Sequence, residues 1–436
     1  MDTQDAQMSR QLKAVVVGGG VAGAASAVAL RRIGADVTVY EGYEDPAGPV
    51  GSFLSLAVNG LRGLDVLDCL AEVQRAGFPV ARQRMLTGRG KLIADVPRGR
   101  TSQDDLLSVT VQRADLVRVL REAALRAGAR IVTGRRLDSP GCPEAADADL
   151  VVGADGIWSA TRRALDPAFP DPVYAGLFSV SGGSRVGGAA GAGPGAGGLH
   201  PGSAGAVHPG AAVAGAGYPV GRAGAAVIPA ERPGPDAPSA PEPVAFHMTF
   251  ARRGAFIHLP APDGTWWWSA QVAAVQAPES PESVGIDELA EAFRTEPHVV
   301  EVLRAGGETR SATLFHILAP VRRRQDGRTV LVGDAAHPVG AGQGASMAIE
   351  DAVLLARELH AAGGEVPAAL AAFDRIRVER TGKMAKAASS NRDAKTAGPL
   401  AARARDLVMP WVFPRLYPRA TRWLYAYDLG TLPGAS

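Results

Sequence analysis

Three short segments concentrate the residues able to do chemistry. The first is Gly18-Gly19-Gly20-Val21-Ala22-Gly23, a GxGxxG spacing set between the apolar run KAVVV and the helix-forming run AASAVALRR. Gly18 permits a tight turn, Gly20 lets the backbone approach a pyrophosphate, and Gly23 lets a helix pack closely on a strand. A helix that starts at Val21 and Ala22 directs unpaired N–H groups and a partial positive charge at that phosphate. Glu41 closes the next apolar run, where a carboxylate accepts hydrogen bonds from ribose hydroxyls and disfavours a 2'-phosphate. An ADP-ribose unit is the implied ligand, with a glycine-rich turn that holds no nucleotide as the alternative. This spacing alone does not separate FAD from NAD.

The second segment, VVGADGIWSATRR, carries Asp155, Gly156, Ser159 and Arg162; the third, VGDAAHPVGAGQGASMAIEDA, carries Gly333, Asp334, His337, Gly342, Gln343 and Gly344. Asp334 follows the buried-type run TVLVG, so it belongs at the carboxyl end of a strand, where ligands of α/β sheets collect. Its expected role is binding. The glycine-rich loop after it leads into a helix near Ala345, so the N–H groups of Gly344 and Ala345 can stabilise negative charge on a ligand. Asp155 serves either as a cofactor contact or as a purely architectural link to a helix that Ser159 caps. His337 is a candidate general base, weighed against a packing role within a binding motif.

Together these segments resemble the ordered motifs of the class A FAD-dependent monooxygenases, of the para-hydroxybenzoate and salicylate hydroxylase type. TVQRADLVRVLREAA, with Arg113, is similar to that family's arginine-bearing helix. AVNGLRGLDVLDCL is similar to its early helix, and FDRIRVERTGKMAKAASSNR to its C-terminal helix. The resemblance covers most of residues 10–175 and 245–395. It implies noncovalent FAD, with Arg113 at the cofactor phosphate or ribityl chain and Asp334 at the ribityl hydroxyls. It also implies NAD(P)H as a transient electron donor without a second dinucleotide fold, and dioxygen that forms a flavin 4a-hydroperoxide to hydroxylate an aromatic small molecule. No side chain then needs to do covalent or acid–base work. Two departures stand out. Gly42 follows Glu41 where the family commonly has arginine, and only PVGA separates His337 from Gly342. An epoxidase or Baeyer-Villiger oxygenase on a polyketide or terpenoid would use the same motifs, as would a flavin reductase without oxygenation. A flavin halogenase fits less well, because WWWSAQ does not give WxWxIP.

These residues need elements to hold them. The opening reads strand, turn, helix, strand, with Gly34 as a helix stop. Strand-like runs recur near residues 150 and 330, so one parallel α/β sheet of Rossmann type is expected, built from distant chain segments. An inserted antiparallel sheet carries the substrate side: PVAFHMTFARRGAFIHLPAPDGTWWWSAQV alternates and turns at Pro262-Asp263-Gly264, which reads as a hairpin. Within it, His247, His258 and His316 and one ring of Trp266-Trp267-Trp268 are possible pocket residues, with packing as the alternative for each. The expected division is 10–80, 101–170 and 321–365 for FAD binding, 81–100 and 171–320 for the substrate domain, and 366–436 for C-terminal helices. Residues 181–243 read as a mobile Gly/Ala/Pro-rich surface insert holding roughly a third of the 53 glycines, with a ligand lid as the alternative. The aromatic tail with Trp411, Phe413, Tyr417, Trp423, Tyr425 and Tyr427 reads as packing.

Composition sets the outer limits. The chain has 436 residues, 46% hydrophobic and 21% charged, enough for a composite fold with a sizeable core. A net charge of +2 supplies no basic field, so nucleic acid is not an expected partner. Cys69 and Cys142 make neither a disulfide framework nor a zinc spacing, so no metal is expected and a reducing cytoplasm fits. No membrane span is expected, because the early uncharged run from Ala14 to Leu30 is broken by the glycine turn. A monomer or homodimer is expected. The Ala/Gly/Arg/Pro bias resembles coding in GC-rich bacteria, where such enzymes tailor secondary metabolites.

Overall fold

The computed structural model describes residues 11–45, 52–185, 244–338, 342–395, 416–417 and 419–433. The chain opens with β1 (Lys13–Val17), α1 (Val21–Arg32) and β2 (Asp36–Tyr40), continues through β3 (Phe53–Leu56), α2 (Val58–Val66) and α3 (Leu70–Ala76), and then forms β4 (Phe78–Val80), β5 (Arg82–Thr87) and β6 (Leu92–Pro97). Next come β7 (Ser108–Gln112), α4 (Arg113–Arg126), β8 (Arg130–Val132), β9 (Leu150–Gly153), α5 (Ala160–Leu165) and β10 (Val173–Arg185). The second half holds β11 (Ala245–Ala251), β12 (Gly254–Pro260), β13 (Thr265–Ala273), α6 (Ile286–Ala292), α7 (Pro297–Arg304), β14 (Thr313–Ile317), β15 (Thr329–Leu331), α8 (Gly344–Ala361) and α9 (Val366–Lys395).

Five parallel strands in the order β15-β9-β1-β2-β8 form the first sheet. β1 and β9 carry apolar runs because both faces are covered, one by helices that include α1 and α8 and the other by the segment around Leu137 and Ala145. Val16, Val37, Leu150 and Val330 join α1 and α8 in the largest core cluster. Alanines at 24, 25, 27 and 29 are fully buried in α1; small side chains let α1 lie close to both the sheet and α8. Cys69 sits in the same cluster, and burial pushes its thiol pKa up to about 12, so it behaves as a small apolar residue.

Seven strands in the order β14-β10-β13-β12-β11-β5-β6 form the second sheet, and β3, β7 and β4 form a third. The expected hairpin around Pro262-Asp263-Gly264 is one of two successive turns, because a second one at Arg252-Arg253 joins β11 to β12. Residues 181–185, assigned to the insert from composition, instead finish β10 and pair with Thr265–Ser269. Gly182 is required there: a Cβ on it would stand 2.4 Å from the Trp268 ring. The remainder of the insert, 186–243, lies outside the described residues, as do Trp411 and Phe413. Among the described residues no helix is long and apolar enough to cross a membrane, and no cluster of three metal-ligand side chains occurs.

A buried ion network ties the C-terminal helices to the sheet. Glu350 on α8 accepts hydrogen bonds from Arg377 Nη1 (2.8 Å), Arg380 Nε (2.7 Å) and Asn59 Nδ2 (2.7 Å). Its neighbour Asp351 pairs with Arg377 Nε at 2.6 Å. Burial would raise both carboxyl pKa values, but the guanidinium groups outweigh it and hold them below the usual carboxylate range. The stabilisation is therefore complete above the unfolded values near pH 4 and is lost as pH falls through the depressed folded values. Below about pH 4, stability should fall by about 1.4 kcal/mol per pH unit for each of the two groups. Denaturant midpoints measured from about pH 5 to about pH 3 test this. Asp351→Asn should flatten the slope, and an unchanged slope would exclude the network as its cause.

Candidate active site

The carboxyl ends of β1, β9 and β15 converge on the start of α1. Gly18 adopts φ +100°, and a Cβ there would stand 2.5 Å from the Ala154 carbonyl oxygen at the end of β9. A Cβ on Gly23 would stand 1.8 Å from the Gly18 carbonyl oxygen. Both glycines are thus demanded by close backbone approach rather than by flexibility. Gly20 caps α1 with no side-chain hydrogen bond to the first turn. The N–H groups of that turn, around Val21 and Ala22, are not taken by a capping side chain. Arg113, the first residue of α4, brings Nη2 to 3.8 Å from where a Cβ on Gly20 would lie. Glu41 is buried with Oε2 accepting from Gly19 N–H at 2.7 Å and Oε1 from Tyr43 N–H at 2.8 Å. Beside it, the space that a side chain at Gly42 would enter is held by the Arg136 guanidinium, 3.3 Å away. An arginine from a distant segment therefore stands next to the position where the adjacent one is missing.

The segment after β15 folds into a tight turn, Gly333–Ala335, that presses on α1: a Cβ on Gly333 would stand 2.8 Å from the Ala22 Cβ. Asp334 is exposed to solvent, although protein atoms crowd around its carboxyl group. That enclosure pushes its carboxyl pKa up, and the nearby charges of His337 and Arg113 act against the rise. The glycine turn, Arg113 and Asp334 are thus neighbours. His337 is turned inward, with Nε2 2.6 Å from Asp351 Oδ2, and the same oxygen accepts Gly333 N–H at 2.7 Å. Asp351 so pins both ends of the turn that carries Asp334. The motif that contains it gives it no role; its place about two helical turns inside α8, facing Gly333 and His337, does.

Gly342 has φ +75°, and Gln343 precedes α8 with no capping hydrogen bond and with Oε1 unpartnered among the described residues. The N–H groups of Gly344 and Ala345 lie in that uncapped first turn. Residues 339–341 lie outside the described set. Asp155 accepts from Ser159 Oγ (2.5 Å), Thr161 N–H (3.0 Å) and Thr161 Oγ1 (3.1 Å), while Ser159 Oγ accepts from Arg162 N–H. These bonds staple the start of α5. Buried Arg162 donates to the carbonyls of Ile157 and Ala335 and so bolts the second motif to the third.

A cleft of about 310 Å³ opens beside Arg113, lined by Ser52, Phe53, Gln112, Ser181, Trp267 and Arg310 among others. Gln112 immediately precedes Arg113, so cleft and glycine turn are neighbours. Trp267 packs on Phe53 and Phe78 at 5.7 and 5.2 Å between ring centroids, and its flanking tryptophans face the other side of the sheet. His247 and His258 stack on each other at 4.8 Å, next to Trp266 on that other side, and burial drives the His258 pKa down to about 3. His316 packs between Trp158 and Tyr174. None of the three histidines lines the cleft.

Two uncapped helix starts, a basic side chain, an accessible carboxylate and a glycine turn that tolerates no Cβ fit a dinucleotide with a polar ring system. The comparisons with known proteins agree. The family described as FAD binding domain matches residues 218–388, and the NAD(P)-binding Rossmann-like domain matches residues 16–72. Aurachin C monooxygenase/isomerase of Stigmatella aurantiaca is 30% identical over 399 residues, 86% of this chain and 87% of the relative. 3-Hydroxybenzoate 6-hydroxylase 1 of Aquipseudomonas alcaligenes is 27% identical over 394 residues, 85% and 86% of the two chains. A solved salicylate hydroxylase substrate complex superposes with TM-score 0.68 at 18% identity, covering 96% of each chain, which supports the fold. The chain belongs to the class A FAD-dependent monooxygenases, the family of the aromatic hydroxylases. It is an FAD-dependent monooxygenase that combines a Rossmann-like FAD-binding region with a largely antiparallel sheet, in which β5 and β11 alone of the described pairs run parallel.

Proposed function

We propose that this enzyme inserts one oxygen atom from dioxygen into an aromatic small molecule, phenolic, indolic or polyketide-derived, with NAD(P)H as a transient hydride donor. The observation that carries the reading is the adjacency of two features: Gln112 lines the aromatic-walled cleft, and Arg113, the next residue, reaches Gly20 of the glycine turn. FAD, held noncovalently, supplies reduction by hydride and activation of dioxygen when bound. The residues of the chain bind it, orient it and keep water away. In this reading the N–H groups at Val21 and Ala22 face the pyrophosphate, Glu41 the adenosine ribose, Arg113 a phosphate, and Asp334 the ribityl hydroxyls. Gly344 and Ala345 direct N–H groups at the pyrimidine edge of the flavin, where they offset negative charge. Asp155 is architectural and His337 is a positioning residue, since its Nε2 is engaged by Asp351. Phe53 and Trp267 form the wall against which the substrate ring lies.

Purified protein should be yellow, and anaerobic NADH or NADPH should bleach it. With oxygen and a panel of phenols, indoles and quinones, at least one compound should accelerate NAD(P)H oxidation and gain the mass of one oxygen atom. A flavin that is never reduced by either nucleotide, or oxidation that only releases hydrogen peroxide, would overturn the reading.

A further inference from the structure

The carbonyls of Trp423, Leu424 and Tyr425 close a short helical stretch, residues 419–425, where the last C=O groups of a helix need donors from outside it. Arginines from the body of the protein supply them. Arg380 on α9 donates from Nη1 to the Trp423 carbonyl at 3.2 Å and from Nη2 to the Leu424 carbonyl at 3.1 Å, and its guanidinium lies over the Tyr427 ring, 3.7 Å from the centroid. Arg62 on α2 donates to the carbonyl of Tyr425, and Arg357 on α8 to that of Leu429. Leu424 and Tyr425 pack with Val58, Met347 and Met384. The C-terminal segment is thus docked on α2, α8 and α9.

Arg380 also faces the other way. Its Nε and Nη2 meet Glu350, the carboxylate that shares Arg377 with Asp351. Asp351 in turn accepts Gly333 N–H and pairs with His337 Nε2, at the two ends of the turn that carries Asp334. Charges alternate along this line from Arg380 through Glu350 and Arg377 to Asp351, and none of the four side chains is more than 5% exposed. In so little water each pairing depends on the next, because a buried charge deprived of one partner is drawn toward the partner that remains. Without Arg380, Glu350 keeps Arg377 as its only counter-ion among the described residues. Arg377, drawn toward Glu350, then loosens its hold on Asp351, and the turn at Asp334 loses part of its anchor.

We propose that Arg380 is a positioning residue for FAD, through which docking of the C-terminal segment, residues 419–433, and binding of the cofactor favour each other. The docked segment holds the turn of Asp334 in place, and bound FAD holds the segment by the same factor, since coupling between two binding events is reciprocal. The inference rests on the reading that sets Asp334 against FAD, and it gives Tyr427 and the segment around it a role beyond packing.

The test uses the full chain, as apoprotein and loaded with FAD. Hydrogen exchange needs no variant: FAD should slow backbone amide exchange in residues 419–433 about fivefold or more beyond its effect on α6 and α7, which stand outside the network. Arg380→Gln should weaken FAD about 10-fold, read by quenching of flavin fluorescence on titration into folded apoprotein, and should abolish the extra protection of the segment. Arg380→Lys keeps the charge that faces Glu350 and should recover part of the affinity. Exchange in 419–433 that FAD slows no more than in α6 and α7, or an FAD affinity of folded Arg380→Gln within about twofold of that of the unaltered chain, would each overturn the proposal. Should the Arg380→Gln apoprotein fail to fold, exchange in the unaltered chain decides by itself. A chain that takes up no FAD defeats the reading of the site and the link with it, whereas one that binds FAD while the segment stays indifferent defeats the link alone.

Discussion

Glu350→Gln should destabilise the FAD-loaded protein by about 3–5 kcal/mol, the cost of breaking a fully buried ion cluster from one side. Glu350 is inaccessible to solvent and receives Asn59, Arg377 and Arg380 on its two oxygens. Glutamine offers one acceptor oxygen and no charge. Arg377 keeps Asp351 as a partner, but Arg380 is left with the carbonyls of Trp423 and Leu424 and the Tyr427 ring. The cluster joins α2, α8, α9 and the C-terminal segment, so the loss should appear as a single large fall in the urea midpoint. Glu379→Gln is the matched control, because its partner Lys383 is exposed and the pair is worth under about 1 kcal/mol. Equal shifts for the two variants would show that burial of the cluster contributes nothing special.

Gly23→Ala should yield protein that emerges from gel filtration nearly colourless, with FAD affinity reduced by about 100-fold or more, equivalent to about 3 kcal/mol. The added methyl would stand 1.8 Å from the Gly18 carbonyl oxygen. Neither partner is a flexible side chain, so α1 must lift off β1 and carry its uncapped N–H groups away from the turn. Gly34→Ala separates this clash from backbone strain. Gly34 has φ +86°, but a Cβ there meets nothing within 4 Å, so the substitution should cost about 1–2 kcal/mol of stability and leave the flavin in place. Flavin-to-protein absorbance ratios and a fluorescence titration with FAD read both outcomes. A yellow Gly23→Ala protein would mean that the turn does not set the distance between α1 and the cofactor.

Local chemistry made the cofactor side of this enzyme legible before folding is considered. A strand, a glycine turn and a helix form one continuous segment, so the spacing of Gly18, Gly20 and Gly23 and the place of Glu41 carry their own geometry. Asp334 at the end of an apolar run and Arg113 at the head of a helix are readable for the same reason, as is the parallel sheet from its buried valine runs. The substrate side was not readable in that way. Trp267 and not Trp266 or Trp268 faces the cleft because strand register decides which of three identical residues points inward. Composition reads residues 181–185 as insert, whereas they pair with β13 and Trp268 on that strand leaves room only for glycine at 182. Asp351 acquires its role from Gly333, His337 and Arg377, and Arg162 from Ala335, all in distant segments, since a buried charge is defined by what faces it and no spacing within one segment encodes that. Sequence alone therefore determined what the enzyme holds, and the tertiary structure decided which side chains line the aromatic cleft, because contacts between distant strands are fixed by packing and register rather than by neighbours in the chain.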